Sequence, residues 1–75
     1  MARAFVLVET AVGRAKEVDA GFRQIEGVKS VDTVTGPYDV IAVVEAETLN
    51  ELGDFVTEKI HPVPGISRTV TCLSV

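Results

Sequence analysis

Apolar positions along the chain follow two periods, and the change between them predicts the order of strands and helices. Residues 4–8 and 40–44 are short, unbroken apolar runs rich in β-branched side chains, which is typical of buried strands. Across residues 14–26 the apolar side chains instead recur every three or four positions, as they do on one side of a helix. Gly27 is positioned to end that helix, and residues 28–35 follow as a strand of irregular alternation.

The second half of the chain repeats this arrangement. Thr48 and Glu51 have the spacing of a capping box, in which each side chain bonds a backbone N–H at the start of a helix. Pro62 and Pro64 cannot continue that helix, and residues 66–75 follow as the last strand. The predicted apolar face of the second helix consists of Leu49, Leu52, Phe55, Val56 and Ile60.

The resulting β-α-β-β-α-β order predicts an α+β fold of the ferredoxin-like type. Its four strands form one antiparallel sheet, and both helices pack on the same face of it. An antiparallel sheet covered on one face should alternate apolar and polar residues, yet residues 4–8 and 40–44 are apolar on both faces. We therefore expect a second copy of the chain to cover the face that the helices leave open.

The most unusual local sequence lies in residues 33–46, where two strand ends are joined by a turn that carries Gly36, Pro37, Tyr38 and Asp39. Glycine and proline together favour a tight turn, because glycine tolerates positive φ and proline fixes its own φ. A plain hairpin with a surface aspartate accounts for these residues. A loop that binds a small ligand accounts for them as well, since loops often carry function.

Composition narrows the classes of function. The chain has one cysteine and one histidine, so we expect neither an internal disulfide nor a structural zinc site. A core of 75 residues is only marginally stable by itself, and oligomerisation remains as the means of stabilising it. A net charge of −4 with scattered basic residues argues against direct nucleic-acid binding. The apolar runs are too short to span a bilayer and the first residues do not resemble a signal peptide, so we expect a cytoplasmic protein without a membrane partner.

Two motifs resemble one family. Residues 34–40, Val-Thr-Gly-Pro-Tyr-Asp-Val, and residues 64–71, Pro-Gly-Ile-Ser-Arg-Thr-Val-Thr, are similar to segments of the effector-binding domain of Lrp/AsnC-type transcriptional regulators, an ACT-like module also called RAM. Gly27-Val28 and residues 52–60 extend the resemblance over essentially the whole chain. The resemblance implies dimers that form through the sheets and often assemble into rings. Family members usually carry a helix-turn-helix domain, whereas this chain begins at the first strand, so it resembles the stand-alone members: residues 1–75 are expected to be a single ligand-binding domain with no DNA-binding domain.

The resemblance also implies a site. In this family the hairpin turn and the last strand contribute to a pocket for a free amino acid at an interface between subunits. The matching positions here are Gly36, Pro37, Tyr38, Asp39, Thr69 and Thr71. Backbone N–H groups of the turn would bind the carboxylate, and Asp39 or a threonine hydroxyl would accept from the ammonium group. The implied partners are an amino-acid effector, further copies of the chain in a dimer or ring of dimers, and a full-length Lrp/AsnC regulator; no catalytic residue, metal or cofactor is expected.

Three hypotheses about function stay open at this point. The first is a non-enzymatic module that senses an amino acid and changes assembly in transcriptional regulation. The second is a small dimeric α+β barrel enzyme, which would need a histidine or carboxylate converging on the open sheet face. The third is a purely structural oligomerisation module. Ordinary roles are expected for three other residues: His61 at the negative end of a helix dipole, Cys72 as a small buried hydrophobe and Arg68 in a surface salt bridge.

Overall fold

A single sheet joins strands that are distant in sequence. The computed structural model describes residues 1–75, and its elements are β1 (Ala2–Thr10), α1 (Ala15–Arg23), β2 (Val28–Thr33), β3 (Val40–Ala46), α2 (Leu49–Phe55), a π-helical segment (Val56–Ile60) and β4 (Ile66–Leu73). Neighbouring strands are antiparallel and lie in the order β2-β3-β1-β4. The predicted ferredoxin-like α+β fold, with both helices on one face, is confirmed.

The core lies between that face and the two helices. Alternate residues of β1 and β3 point into it, which follows from the two-residue period of a strand. Every fully buried side chain is apolar, and the largest are Phe22, Leu52, Ile60, Val6, Val8, Val18, Val40 and Val44. None of the helices is both long enough and apolar enough to cross a membrane.

Glycines allow the chain to pass close beneath the helices. Gly65 has a φ of +98°, and a Cβ placed there would lie 2.9 Å from Cγ2 of Val18. Gly27 has a φ of +105° and packs against the ring of Phe55. The prediction that Gly27 ends the first helix is wrong, because α1 ends at Arg23 and Gly27 instead directs the chain into β2.

The start of α2 agrees with its predicted cap. The hydroxyl of Thr48 accepts a hydrogen bond from the Glu51 N–H at 3.1 Å, which is one of the two bonds of a capping box. Leu49 is 60% exposed, so its predicted place on the apolar face is wrong. At the other end of the helix, the N–H of His61 donates to the Val56 carbonyl at 3.0 Å, which gives the last turn its π geometry.

The link between β2 and β3 is wider than the tight turn predicted from glycine and proline. β2 ends at Thr33 rather than at residue 35, and residues 34–39 form an open loop before β3 begins at Val40. The N–H of Val34 donates to the Asp39 carbonyl at 2.8 Å and closes the base of this loop.

Candidate functional site

The sheet face that the helices leave open has an apolar centre. In the strand register, Leu7 lies between Ile41 and Val70, and Phe5 lies between Val43 and Cys72. Phe5 is 38% exposed despite this position in the middle of the sheet. The prediction that Cys72 is buried is wrong, because it lies on the uncovered face of an edge strand and is exposed. We call these six residues the open face.

Charged pairs border the open face at both ends. Arg3 donates to Glu45 at 3.1 Å, and Arg68 lies 3.6 Å from Glu9, as predicted for a surface salt bridge. The carboxylates on this side of the sheet that end β1 and β3 are therefore paired with arginines, and the histidine lies elsewhere. The convergent histidine or carboxylate that the barrel-enzyme hypothesis requires does not lie over the apolar centre.

Asp39 fastens the loop of residues 34–39 to the body of the domain. Its carboxylate accepts from the Thr10 N–H at 2.8 Å and from the Thr10 hydroxyl at 3.2 Å. Its own N–H donates to the Val8 carbonyl at 2.9 Å. These bonds hold Asp39, at the end of the loop, against β1, while Gly36 and Pro37 remain exposed and Tyr38 is half-buried. The loop therefore projects from a fixed base.

Thr69 and Thr71 lie in a different place. They pair with Val8 and Val6 of β1, so they share the helix-side face of β4. The Thr69 hydroxyl is 3.3 Å from Nε2 of His61. Thr71 lines a groove of about 270 Å³ between β4 and the second helix, which we call the β4–α2 groove. Its lining residues are Leu49, Leu52, Gly53, Val56, Thr57, His61, Thr71 and Leu73.

Within one subunit the predicted site residues thus form two groups. The loop residues Gly36, Pro37, Tyr38 and Asp39 line none of the three cavities of the structure, and Thr71 lines one with His61. A ligand that touched both groups would need a further surface, such as a second copy. His61 was not among the predicted site residues; its proximity to Thr69 depends on the π-helical segment, which had no sequence signal.

A polar cluster separate from the predicted site residues links α1 to the outer edge of β2. Asp19 accepts from Nε of Arg23 and, at 2.7 Å, from the Thr33 hydroxyl, while a second guanidinium nitrogen of Arg23 donates to the Val31 carbonyl at 2.8 Å. The hydrogen bond from Arg23, followed by that from Thr33, lowers the pKa of Asp19 below its ordinary value. No three or more His, Cys, Asp or Glu side chains come together as metal ligands.

Sequence comparison assigns the fold to a family. Residues 3–75 match the model of the Lrp/AsnC ligand binding domain. The chain belongs to the Lrp/AsnC family. An uncharacterized HTH-type transcriptional regulator of Pyrococcus furiosus, PF0250, is 37% identical over 59 residues, which are 79% of this chain and 39% of that protein. The match therefore covers well under half the length of that regulator.

A similar segment also occurs in an enzyme. Homocitrate synthase of Sulfurisphaera tokodaii is 45% identical over 49 residues, which are 65% of the Lrp/AsnC chain and 10% of the enzyme.

Solved structures agree with the family assignment. The hypothetical protein PHS023 of Pyrococcus horikoshii is 40% identical with a TM-score of 0.92, and the match covers 100% of this chain and 90% of that one. The transcriptional regulator NMB0573 of Neisseria meningitidis, solved as an L-Met complex, is 20% identical with a TM-score of 0.85 over 99% of this Lrp/AsnC chain and 49% of that one, which shows a shared fold.

Proposed function

We propose that this Lrp/AsnC chain is a non-enzymatic module that binds a free amino acid between subunits and thereby changes its assembly with itself or with a full-length regulator. In this proposal residues 1–75 act as a single ligand-binding domain, and any effect on transcription comes through the partner. The chain has a net charge of −4, which does not suit it to contacts with nucleic-acid phosphates.

The observation that carries the proposal is the open face. Its centre contains Phe5, Leu7, Ile41 and Val43, which are apolar and half-buried or exposed although they lie in the two central strands. Burying a large apolar side chain is worth about 1.5–3 kcal/mol, so leaving several of them in water is costly for a domain of this size. A two-fold related copy, with its own charged ends and apolar centre, is the simplest surface to cover it.

The loop of residues 34–39 is the proposed place of the ligand. Gly36 is exposed, and the N–H groups of Thr35, Gly36 and Tyr38 donate no backbone hydrogen bond, so they are free to bind an anion. One carboxylate oxygen of Asp39, Oδ2, accepts both bonds from Thr10, which leaves Oδ1 for an ammonium group. A neighbouring subunit would have to close this half-site, and that requirement links ligand binding to assembly.

The relatives support the same class of ligand. The matched family model is a ligand binding domain, and the Neisseria regulator was solved with L-Met. The proposal carries that chemistry, a zwitterionic amino acid, to this chain.

A thermal-shift screen against the common amino acids tests the ligand. An amino acid present at about 100 times its dissociation constant should add about 2.7 kcal/mol of stability, which is a visible shift for a small domain. Tyr38→Phe and Asp39→Asn should reduce the shift, while Asp54→Asn, at an exposed site on α2, should leave it unchanged. If none of the amino acids stabilises the protein, the sensing part of the proposal is wrong, whatever its state of assembly.

A second candidate is regulation of an enzyme instead of a DNA-binding protein. The similarity to one tenth of a homocitrate synthase favours it, because it places a related segment in a catalyst. The two candidates differ in the partner. Mixed assemblies with a purified Lrp/AsnC regulator in size-exclusion chromatography would support action on a DNA-binding protein. A changed rate of a purified homocitrate synthase, with no such mixed assembly, would support regulation of an enzyme.

A further inference from the structure

The largest of the three cavities lies where β1 begins and where β3 and β4 end, and we call it the strand-end cavity. It has a volume of about 360 Å³ and is lined by Met1, Arg3, Glu45, Ser74 and Val75. Arg3 pairs with Glu45 in the strand register, and the Ser74 N–H donates to the Arg3 carbonyl at 2.9 Å. The sheet therefore brings a guanidinium, a carboxylate and a hydroxyl group to one cavity.

The ion pair of this cavity uses only part of its hydrogen-bonding capacity. Nε of Arg3 donates to Oε2 of Glu45 at 3.1 Å, and no other nitrogen or oxygen of these two head groups has a hydrogen-bond partner within the chain. The N–H donors on Nη1 and Nη2 of Arg3 and the acceptor Oε1 of Glu45 remain available. The Glu45 side chain is only 18% exposed, so a charge that reaches it is less screened than at the surface.

The other arginines of the chain lack this combination. Arg14 uses two nitrogens on the two carboxylate oxygens of Glu17. Arg23 lines a cavity, but both oxygens of its aspartate already accept hydrogen bonds. Arg68 lies 3.6 Å from its glutamate and lines none of the cavities. Only the pair made by Arg3 joins unused donors and an unused acceptor to a cavity.

The two opposite charges select the class of ligand. An anion that approached the guanidinium would be repelled by the adjacent carboxylate, and a cation that approached the carboxylate would be repelled by the guanidinium. A molecule that carries both charges avoids both penalties. In an α-amino acid the ammonium and the carboxylate are attached to the same carbon atom, so they can meet two head groups that lie side by side. The guanidinium also suits a carboxylate in particular, because it can donate two parallel hydrogen bonds to it.

We propose that the strand-end cavity binds a free α-amino acid. The carboxylate of the ligand accepts from Nη1 and Nη2 of Arg3, and its ammonium group donates to Oε1 of Glu45 and to the Ser74 hydroxyl. The bond between Arg3 and Glu45 stays in place, so the ligand completes a network of alternating charges.

This cavity is distinct from the loop of residues 34–39, where the proposed function places its ligand. That loop is held by Asp39 to Thr10, at the opposite end of β1 from Arg3. A strand rises about 3.3 Å per residue, so the two places are about 20 Å apart. The inference shares its class of ligand with the proposed function but none of its residues, and each can fail while the other holds.

Titration of isotope-labelled protein with L-serine, followed by NMR, tests the two places separately, because backbone amide resonances report where a ligand binds. The amide resonances of Arg3, Glu45 and Ser74 should shift and reach saturation. N-acetyl-L-serine lacks the ammonium group and L-serinamide lacks the carboxylate, so each should bind there at least about tenfold more weakly. If these three resonances do not respond to L-serine, the proposal is wrong; shifts confined to residues 34–39 would support the proposed function alone.

Glu45→Gln keeps the shape of the side chain and removes its charge, and it should weaken the binding of L-serine at least about tenfold. Glu17→Gln is the matched control, since Glu17 belongs to another arginine–glutamate pair and lines no cavity. It should leave the affinity unchanged. Equal affinity of Glu45→Gln and wild type, or equal binding of either control ligand, would overturn the proposal. A smaller sedimentation coefficient for Glu45→Gln without ligand would overturn it too, because the pair would then be a contact between copies.

Discussion

Assembly through the open face makes Leu7 a sensitive position. Leu7 is half-buried at the centre of that face, between Ile41 and Val70. Leu7→Thr keeps a side chain suited to a strand and removes much of the apolar surface that a partner would cover. The isolated subunit should fold as before, because the core lies on the other side of the sheet. The dimer should be weakened.

The size of the effect follows from the area still exposed. Full burial of a leucine is worth about 1.5–3 kcal/mol, and a half-buried one has about half of that left to gain, or about 1 kcal/mol. A two-fold interface contains the change twice, so the loss is about 2 kcal/mol for the dimer. That corresponds to an increase of about 30-fold in the dissociation constant.

Sedimentation velocity over a concentration series measures the dissociation constant, and circular dichroism checks that each variant is folded. Leu49→Thr is the matched control, since it removes the same side chain from an exposed position on α2, outside the open face. It should leave the dissociation constant unchanged. If Leu7→Thr dimerises as tightly as wild type, or if Leu49→Thr weakens the dimer more, the open face is not the interface.

Two predictions concern the fold itself. Gly65→Ala adds a Cβ 2.9 Å from Val18 and forces a non-glycine residue to a φ of +98°, whereas Gly13→Ala, at a φ of +77° with open space, adds only the backbone strain. Urea unfolding should show a loss of about 1–2 kcal/mol in the free energy of unfolding for Gly13→Ala and a larger loss for Gly65→Ala. Equal losses would contradict the close packing of Gly65 against Val18. The pKa of Asp19 is lowered in the folded state by Arg23, so its contribution to stability is complete above about pH 4 and declines as the pH falls through that lowered pKa. Unfolding measured from neutral pH to about pH 2 should therefore depend less on pH in Asp19→Asn than in wild type, and an unchanged slope would show that the pair does not act this way.

Most of the fold could be predicted from sequence because its signals are local. The apolar runs of β1 and β3 fix two central strands, and the helical period of residues 14–26 and the cap at Thr48 locate the helices. The doubly apolar strands also predicted that the sheet face left open by the helices is apolar, as it is in the structure. Its coverage by a second copy stays a prediction. These features depend on neighbours within a few residues, so a single sequence carries them.

The features that escaped prediction depend on tertiary position. Cys72 and Leu49 have apolar side chains, yet both lie at the β4 side of the sheet, where no further element covers them. The sharing of one face by Thr69 and Thr71 could be predicted from the period of a strand. Their separation from the loop of Asp39 could not, because it depends on β1 lying between β3 and β4. The predicted effector site therefore remains a prediction.

The bond from Arg23 to the Val31 carbonyl has a consequence for aggregation at high protein concentration. Open-ended stacking of sheets edge to edge needs two usable edges on every subunit, so that each newcomer leaves a fresh one exposed. Here one edge is occupied by a side chain of the same chain, and only β4 remains. A copy of the chain that joined this sheet through β4 would present only its obstructed β2 edge to the next copy. The bond from Arg23, together with the irregularity of β2 between Val28 and Ser30, therefore opposes the extension of these sheets into fibrils.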